Sequence, residues 1–204
     1  MFGEGQNSIL SASNPLSSAI LLNSSGSSLT NLKIISPFST IRQTANIASC
    51  VVANGSSNFR IDNLEIVDCA TAGIMITYGS NNGEVVNNRV AHTLADGIHI
   101  TGRSNNIVVS NNQVRDTGDD AIAVISYVAN TAKSYRINII KNIINNSATR
   151  GISAIGDDVV VRANTITNTN CAGIYSVSEG TTNLYSGTNL IIENNKMYNT
   201  TLDA

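Results

Sequence analysis

The chain repeats itself, and the repeat limits what it can fold into. Segments opening "GIMIT" at Gly73, "GIHIT" at Gly97, "AIAVI" at Ala121, "GISAI" at Gly151 and "GIYSV" at Gly173 recur at spacings of 24, 24, 30 and 22 residues. Each is followed by a second segment: "NNRVAHT", "NNQVRDT", "KNIINNS", "ANTITNT" and "NNKMYNT". The second-place asparagines of this series are Asn88, Asn112, Asn142, Asn164 and Asn195. "DNLEIVD" with Asn63 and "TNLKIIS" with Asn31 extend it toward the N-terminus. A third apolar run lies between the two, such as "NIVVS" from Asn106 or "NLIIE" from Asn189. Every unit of 22 to 32 residues therefore supplies three short strands separated by polar turns. One such unit cannot bury its apolar face, whereas stacked units share a continuous core.

Stacking in parallel register places equivalent residues about 4.8 Å apart. Alternation then sends Ile98 and Ile100 inward and Gly97, His99 and Thr101 to the other face. It also explains the 29 asparagines: a buried Asn at a turn can bond the backbone and the Asn of the next coil, forming a ladder. Only 13% of residues are charged, against about 25% in an average domain, which suits strands and tight turns better than helices. The expected fold is all-β: a right-handed parallel β-helix of about seven coils with three strands per coil. The right hand follows from the usual sense of parallel crossovers. Residues 1–204 are expected to form a single domain, without a visible cap at either end. That pattern suggests a part of a longer β-helix, or ends covered by an adjoining domain or a homotrimer. Cys50, Cys69 and Cys171 are too few and irregular for a disulfide framework and read as small buried apolar residues. A net charge of −2 with no basic run gives no sign of a nucleic-acid footprint. No apolar stretch approaches the roughly 18 residues of a membrane span, and "MFGEGQNSIL" lacks the regions of a signal peptide.

Aligned on the Gly or Ala anchors, the position before each anchor reads Ala72, Asp96, Asp120, Arg150 and Ala172. One place earlier come Thr71, Ala95, Asp119, Thr149 and Cys171. Two places after the anchor lie Met75, His99, Ala123, Ser153 and Tyr175. Stacking turns these into a column of Asp96, Asp120 and Arg150 flanked by Asp119, His99 and Ser153. Acids one coil apart lie roughly 5 Å from each other, and like charges at that range split their titrations. A protonated carboxyl beside an ionised one is what glycosidic cleavage requires. Asp96, Asp119 and Asp120 are the catalytic candidates; His99, Arg150, Ser153, Tyr175 and Tyr127 are candidates for binding substrate. Tyr127 belongs to an insertion, residues 126–136, whose Lys133, Tyr135 and Arg136 are expected to join it in a wall beside the acids. Asp157 and Asp158 are expected in the loop before the next strand. No cofactor is required. The acids could also hold calcium, with substrate carboxylates or further loops completing its six to eight oxygen ligands.

"DTGDDAIAV" resembles the acidic motif of the glycoside hydrolase family 28 polygalacturonases, within the pectin-lyase-like superfamily. "ADGIHI", one coil earlier, is similar to their Asn-Thr-Asp-Gly motif. The resemblance covers about 60 residues and implies a catalytic role for Asp96, Asp119 and Asp120. Arg150 stands where the histidine of the family's Gly-His-Gly motif falls, and "CAGIYSVSE" carries no Arg-Ile-Lys motif. Bacteriophage tailspikes share the same coiled architecture. The function implied is hydrolysis of an acidic polysaccharide; a polysaccharide lyase and a non-catalytic glycan-binding shaft are the alternatives. Each places the protein outside the cell or on a virion surface, without nucleic-acid or membrane partners.

Overall fold

The computed structural model describes residues 1–5, 7–177 and 183–201. Three parallel sheets of eight, seven and seven strands run the length of the molecule. One coil comprises Ile98–Ile100, Asn105–Ser110 and Gln113–Thr117, and the next begins at Ile122–Ile125. Each strand pairs with its equivalent one coil away, so Ile98 lies between Ile74 and Ile122, and Ile122 pairs with Ile152. All four isoleucines are fully buried, each contributing about 1.5–3 kcal/mol of burial. They belong to one apolar core that runs from Ile20 to Ile166. The anchor glycines follow from close packing: a Cβ on Gly97 would stand 2.6 Å from the carbonyl oxygen of Ala121.

The asparagine ladder is present. Asn112 Nδ2 donates to Asn142 Oδ1 at 3.0 Å and to Val85 O at 2.9 Å. Its Oδ1 accepts from the backbone N–H and Nδ2 of Asn88, and Asn142, Asn164 and Asn195 continue the pattern. The N-terminal extension of this series is corrected by one residue. Glu65 pairs with Arg89, which puts Leu64, not Asn63, level with Asn88. Leu64 and Leu32 are buried there, and the ladder ends where the Leu64 N–H donates to Asn88 Oδ1. Asn63 and Asn31 have φ of 52° and 59°, the left-handed region that Asn tolerates better than most residues.

The cysteine expectation is also corrected. Cys50 and Cys69 form a disulfide, with Cα atoms 5.7 Å apart and a sequence separation of 19; Cys171 is not in one. Their separation along the chain hides their proximity, because the intervening coil brings its end back beside its start. Two long connections, residues 36–50 and 126–134, rise beside the strands Ile74–Thr77 and Ile98–Ile100. Among the described residues no helix is long and apolar enough to cross a membrane.

Candidate functional site

The three acids first serve the turn. Asp96 Oδ1 accepts the backbone N–H of Asp120, and Asp120 Oδ1 accepts the backbone N–H of Arg150, both at 3.0 Å. Each carboxylate thus joins its coil to the equivalent residue of the next, and the chain of acceptors stops at Arg150, which has none. The second oxygen of each is spent differently. Asp96 Oδ2 lies 2.5 Å from His99 Nδ1, a bond that orients the imidazole and turns Nε2 away from the carboxylate. Asp120 Oδ2 accepts from Ser153 Oγ at 2.5 Å.

Asp120 is only 4% exposed. Burial pushes its carboxyl above the ordinary range, against the bonds from Ser153 and Thr149, and the charge of Asp96 adds to the rise. Thr149 Oγ1 lies 2.5 Å from Asp120 Oδ1 and 2.9 Å from Asp119 Oδ1, yet a hydroxyl has one hydrogen to give. Thr149 can therefore serve only one of the two carboxylates at a time unless the three groups share a further proton. Asp119 is the most open of the three acids, with its side chain 29% exposed against 11% for Asp96 and 6% for Asp120. Its other oxygen is held by Arg42 Nη2 at 2.7 Å.

These groups face a cleft of about 320 Å³, and Tyr127 forms its wall. The Tyr127 ring lies nearly parallel to His99, with centroids 6.4 Å apart. Burial raises its phenol, and the charges of Asp96 and Asp119 raise it further. Asp96, Asp119, Asp120, His99, Arg150 and Tyr127 all line this cleft, and reachable oxygens of the three acids lie within 4.8 Å of one another. Those oxygens already accept from Arg42, Thr149, Ser153 and backbone N–H groups, donors that a cation would have to displace.

Two binding candidates sit behind the cleft instead of in it. Ser153 is fully buried beneath Asp120, and Tyr175 underlies Arg150, whose guanidinium lies 4.0 Å from the ring centroid. Both serve the lining groups from below, because the outward column is itself covered by the longer side chains. In the expected wall, Lys133 turns away to pair with Asp157 at 2.8 Å. Tyr135 and Arg136 belong to the strand Tyr135–Ile140 on a different sheet. Asp157 and Asp158 open the strand Asp157–Arg162 instead of occupying a loop. Burial alone would raise Asp157, but its bonds from Lys133 and Thr188 outweigh it and hold the carboxyl low.

Arg42 is a cleft residue that the motif reading passes over, and Thr149, aligned there but given no role, reaches both Asp119 and Asp120. Arg42 lies 77 positions from its partner Asp119. Its signal is the 32-residue gap between Asn31 and Asn63, an insertion of the same kind as residues 126–136.

No curated protein sequence matches the chain significantly. Among solved structures, the catalytic unit of a GH87 α-1,3-glucanase from Streptomyces thermodiastaticus superposes with a TM-score of 0.71 at 23% identity, covering 95% of this chain and 38% of that one. The periplasmic alginate epimerase AlgG, as its D317A mutant, gives 0.59 at 11% identity, covering 91% and 47%. The Streptococcus pneumoniae surface adhesin PfbA gives 0.56 at 15%, covering 93% and 63%. The chain thus spans between 38% and 63% of these structures' lengths, and at such identities the likeness is one of fold. The family model of the right-handed β-helix region matches residues 6–134, and with three parallel sheets coiled about one core the chain belongs to that family.

Proposed function

We propose that the chain is a glycoside hydrolase acting on an acidic polysaccharide. The observation that carries this reading is the cluster of Asp96, Asp119 and Asp120, with oxygens within 4.8 Å of one another on the floor of an open cleft. The family 28 likeness of "DTGDDAIAV" and "ADGIHI" supports it, as does a fold shared with a GH87 glucanase. In the proposed reaction the proton shared by Asp120, Thr149 and Asp119 passes from Asp119, the most open acid, to the glycosidic oxygen as its bond to the anomeric carbon breaks. Water adds to that carbon and gives its proton to the Asp96 carboxylate, which His99 braces. The disulfide supports an oxidising compartment outside the cytosol.

A second reading rests on the Asp96–His99 pair stacked against Tyr127. His99 would take the proton beside a uronate carboxyl and Tyr127, kept protonated by burial, would return one, giving elimination or epimerisation. Mass spectrometry of products from polygalacturonate, alginate and α-1,3-glucan, with wild type and Asp119→Asn, separates the two. Products that gain water in the wild type and fall at least a hundredfold in Asp119→Asn are expected. Unsaturated or epimerised products that persist in Asp119→Asn and vanish in His99→Gln would replace the first reading with the second. Absence of any product from folded protein would leave a binding shaft.

A further inference from the structure

The backbone itself marks a second site. Among the described residues, 22 non-glycine residues have positive φ. Nineteen of them fall in three columns that climb the solenoid, one through Asn87 and Asn111, one through His92 and Asp116, one through Asn82 and Asn106. These columns are mostly Asn and Asp, residues suited to that conformation, and each member rests on its equivalent in the next coil. The three left over are Tyr78, Arg103 and Thr131, with φ of 54°, 66° and 63°. None is a residue type that favours this conformation. Neighbouring turns place glycine there: Gly55, Gly79 and Gly102 have φ of 63°, 73° and 63°.

All three outliers line one hollow of about 380 Å³, which shares Asn46 and Tyr127 with the acid cleft. Tyr78 is 66% exposed. Asn130 ties the rim to the strands by donating to Thr101 Oγ1 at 3.2 Å. Among the described residues no acid lines this hollow, and the guanidinium of Arg103 has no ion pair. Strained, exposed side chains kept where glycine would fit better are a mark of function. The cleft next door is rich in acids, so an unpaired cation one step along the groove selects a ligand that carries its negative charge there.

We infer that this hollow is a subsite for a carboxylate-bearing sugar of the same chain whose glycosidic bond lies over the acid cleft, with Tyr78 as the platform for the ring and Arg103 as the carboxylate partner. The inference rests on reading the acid cleft as a glycan site. It is tested by calorimetry in the Asp119→Asn background, which separates binding from turnover, using tetragalacturonate, tetramannuronate and a neutral α-1,3-linked glucose tetrasaccharide. One uronate is expected to bind at least tenfold more tightly than the neutral sugar. Adding Arg103→Asn should weaken that uronate about tenfold and leave the neutral sugar unchanged, while Tyr78→Asn weakens both. Because Asn suits the left-handed turn, both substitutions should leave the melting temperature equal or higher, so loss of affinity cannot be assigned to misfolding. Absence of uronate binding, equal affinity for the neutral sugar, or indifference to Arg103→Asn overturns the subsite. Hydrolysis with Arg103-independent binding sinks the subsite alone; Arg103-dependent binding without hydrolysis sinks the hydrolase reading alone.

Discussion

Asp120 shows how one residue can serve the turn and the chemistry together. Its oxygens accept from Arg150 N–H, Thr149 and Ser153, which fixes the turn, while burial raises its carboxyl above the ordinary 3.8. A raised acid binds its proton more tightly in the folded state than in the unfolded chain. Stability is therefore lost as pH climbs from the ordinary value to the raised one, by about 1.4 kcal/mol per pH unit at most. Asp116 has the opposite sign: its bond from Asn146, aided by Arg115, holds it low. That contribution is present above 3.8 and fades as pH falls below it. Unfolding free energies measured across pH for wild type and Asp120→Asn should diverge, the variant gaining on the wild type through the window above 3.8 and holding a constant lead beyond it. A difference that does not vary with pH would mean that the Asp120 proton is not bound in the folded state. The strand register made this residue's neighbours legible in the sequence, since Met75, His99, Ala123 and Ser153 stack as alternation requires. Its burial was not legible, because alternation sends this position outward and only the folded coil shows how closely Thr149 and Ser153 pack on its carboxyl.

At the scale of the coil, adjacent asparagines do unrelated work. Asn111 is exposed at a φ of 56°, where what matters is tolerance of a left-handed backbone. Asn112 beside it is fully buried and makes four bonds through its amide. Asn111→Gly should change stability by less than about 1 kcal/mol, since Gly accepts that conformation freely. Asn112→Ala leaves several buried groups unpaired at about 1–3 kcal/mol each and should cost about 3–5 kcal/mol. Chemical denaturation of the two variants checks this; equal costs would mean that the ladder contributes no more than the turn. The paired letters "NN" hide this difference, which is why Asn63 reads as a ladder member when Leu64 holds that place. Three strands per coil and the inward isoleucines are written in the local period. Arg42 and the Cys50–Cys69 bridge are not, because insertions of irregular length carry them across the period and only the folded coil brings their partners near.

Across the whole molecule, each coil touches mainly the coils above and below, so stability is close to a sum of neighbouring interfaces. The central coils, from Ile74–Thr77 to Ile152–Ile155, bury their inward apolar strand residues almost completely, whereas Ile192 and Met197 at the inward positions near one end are about half exposed and Leu10 near the other is only partly buried. The acid cleft is drawn from these central coils, with Arg42 reaching in from a flanking insertion. Native-state hydrogen exchange should therefore be slowest in strands 74–155 and faster toward both ends. The disulfide sits on one side of this region, joining residues 19 positions apart, a constraint worth about 3 kcal/mol, or roughly a hundredfold in exchange. Reduction should raise exchange by that order in residues 20–72 and leave the strand Ile122–Ile125 and those beyond it nearly unchanged, because no interface there involves the bridge. A uniform rise along the chain would show instead that the coils unfold as one unit, and the nearest-neighbour account of this solenoid would fail.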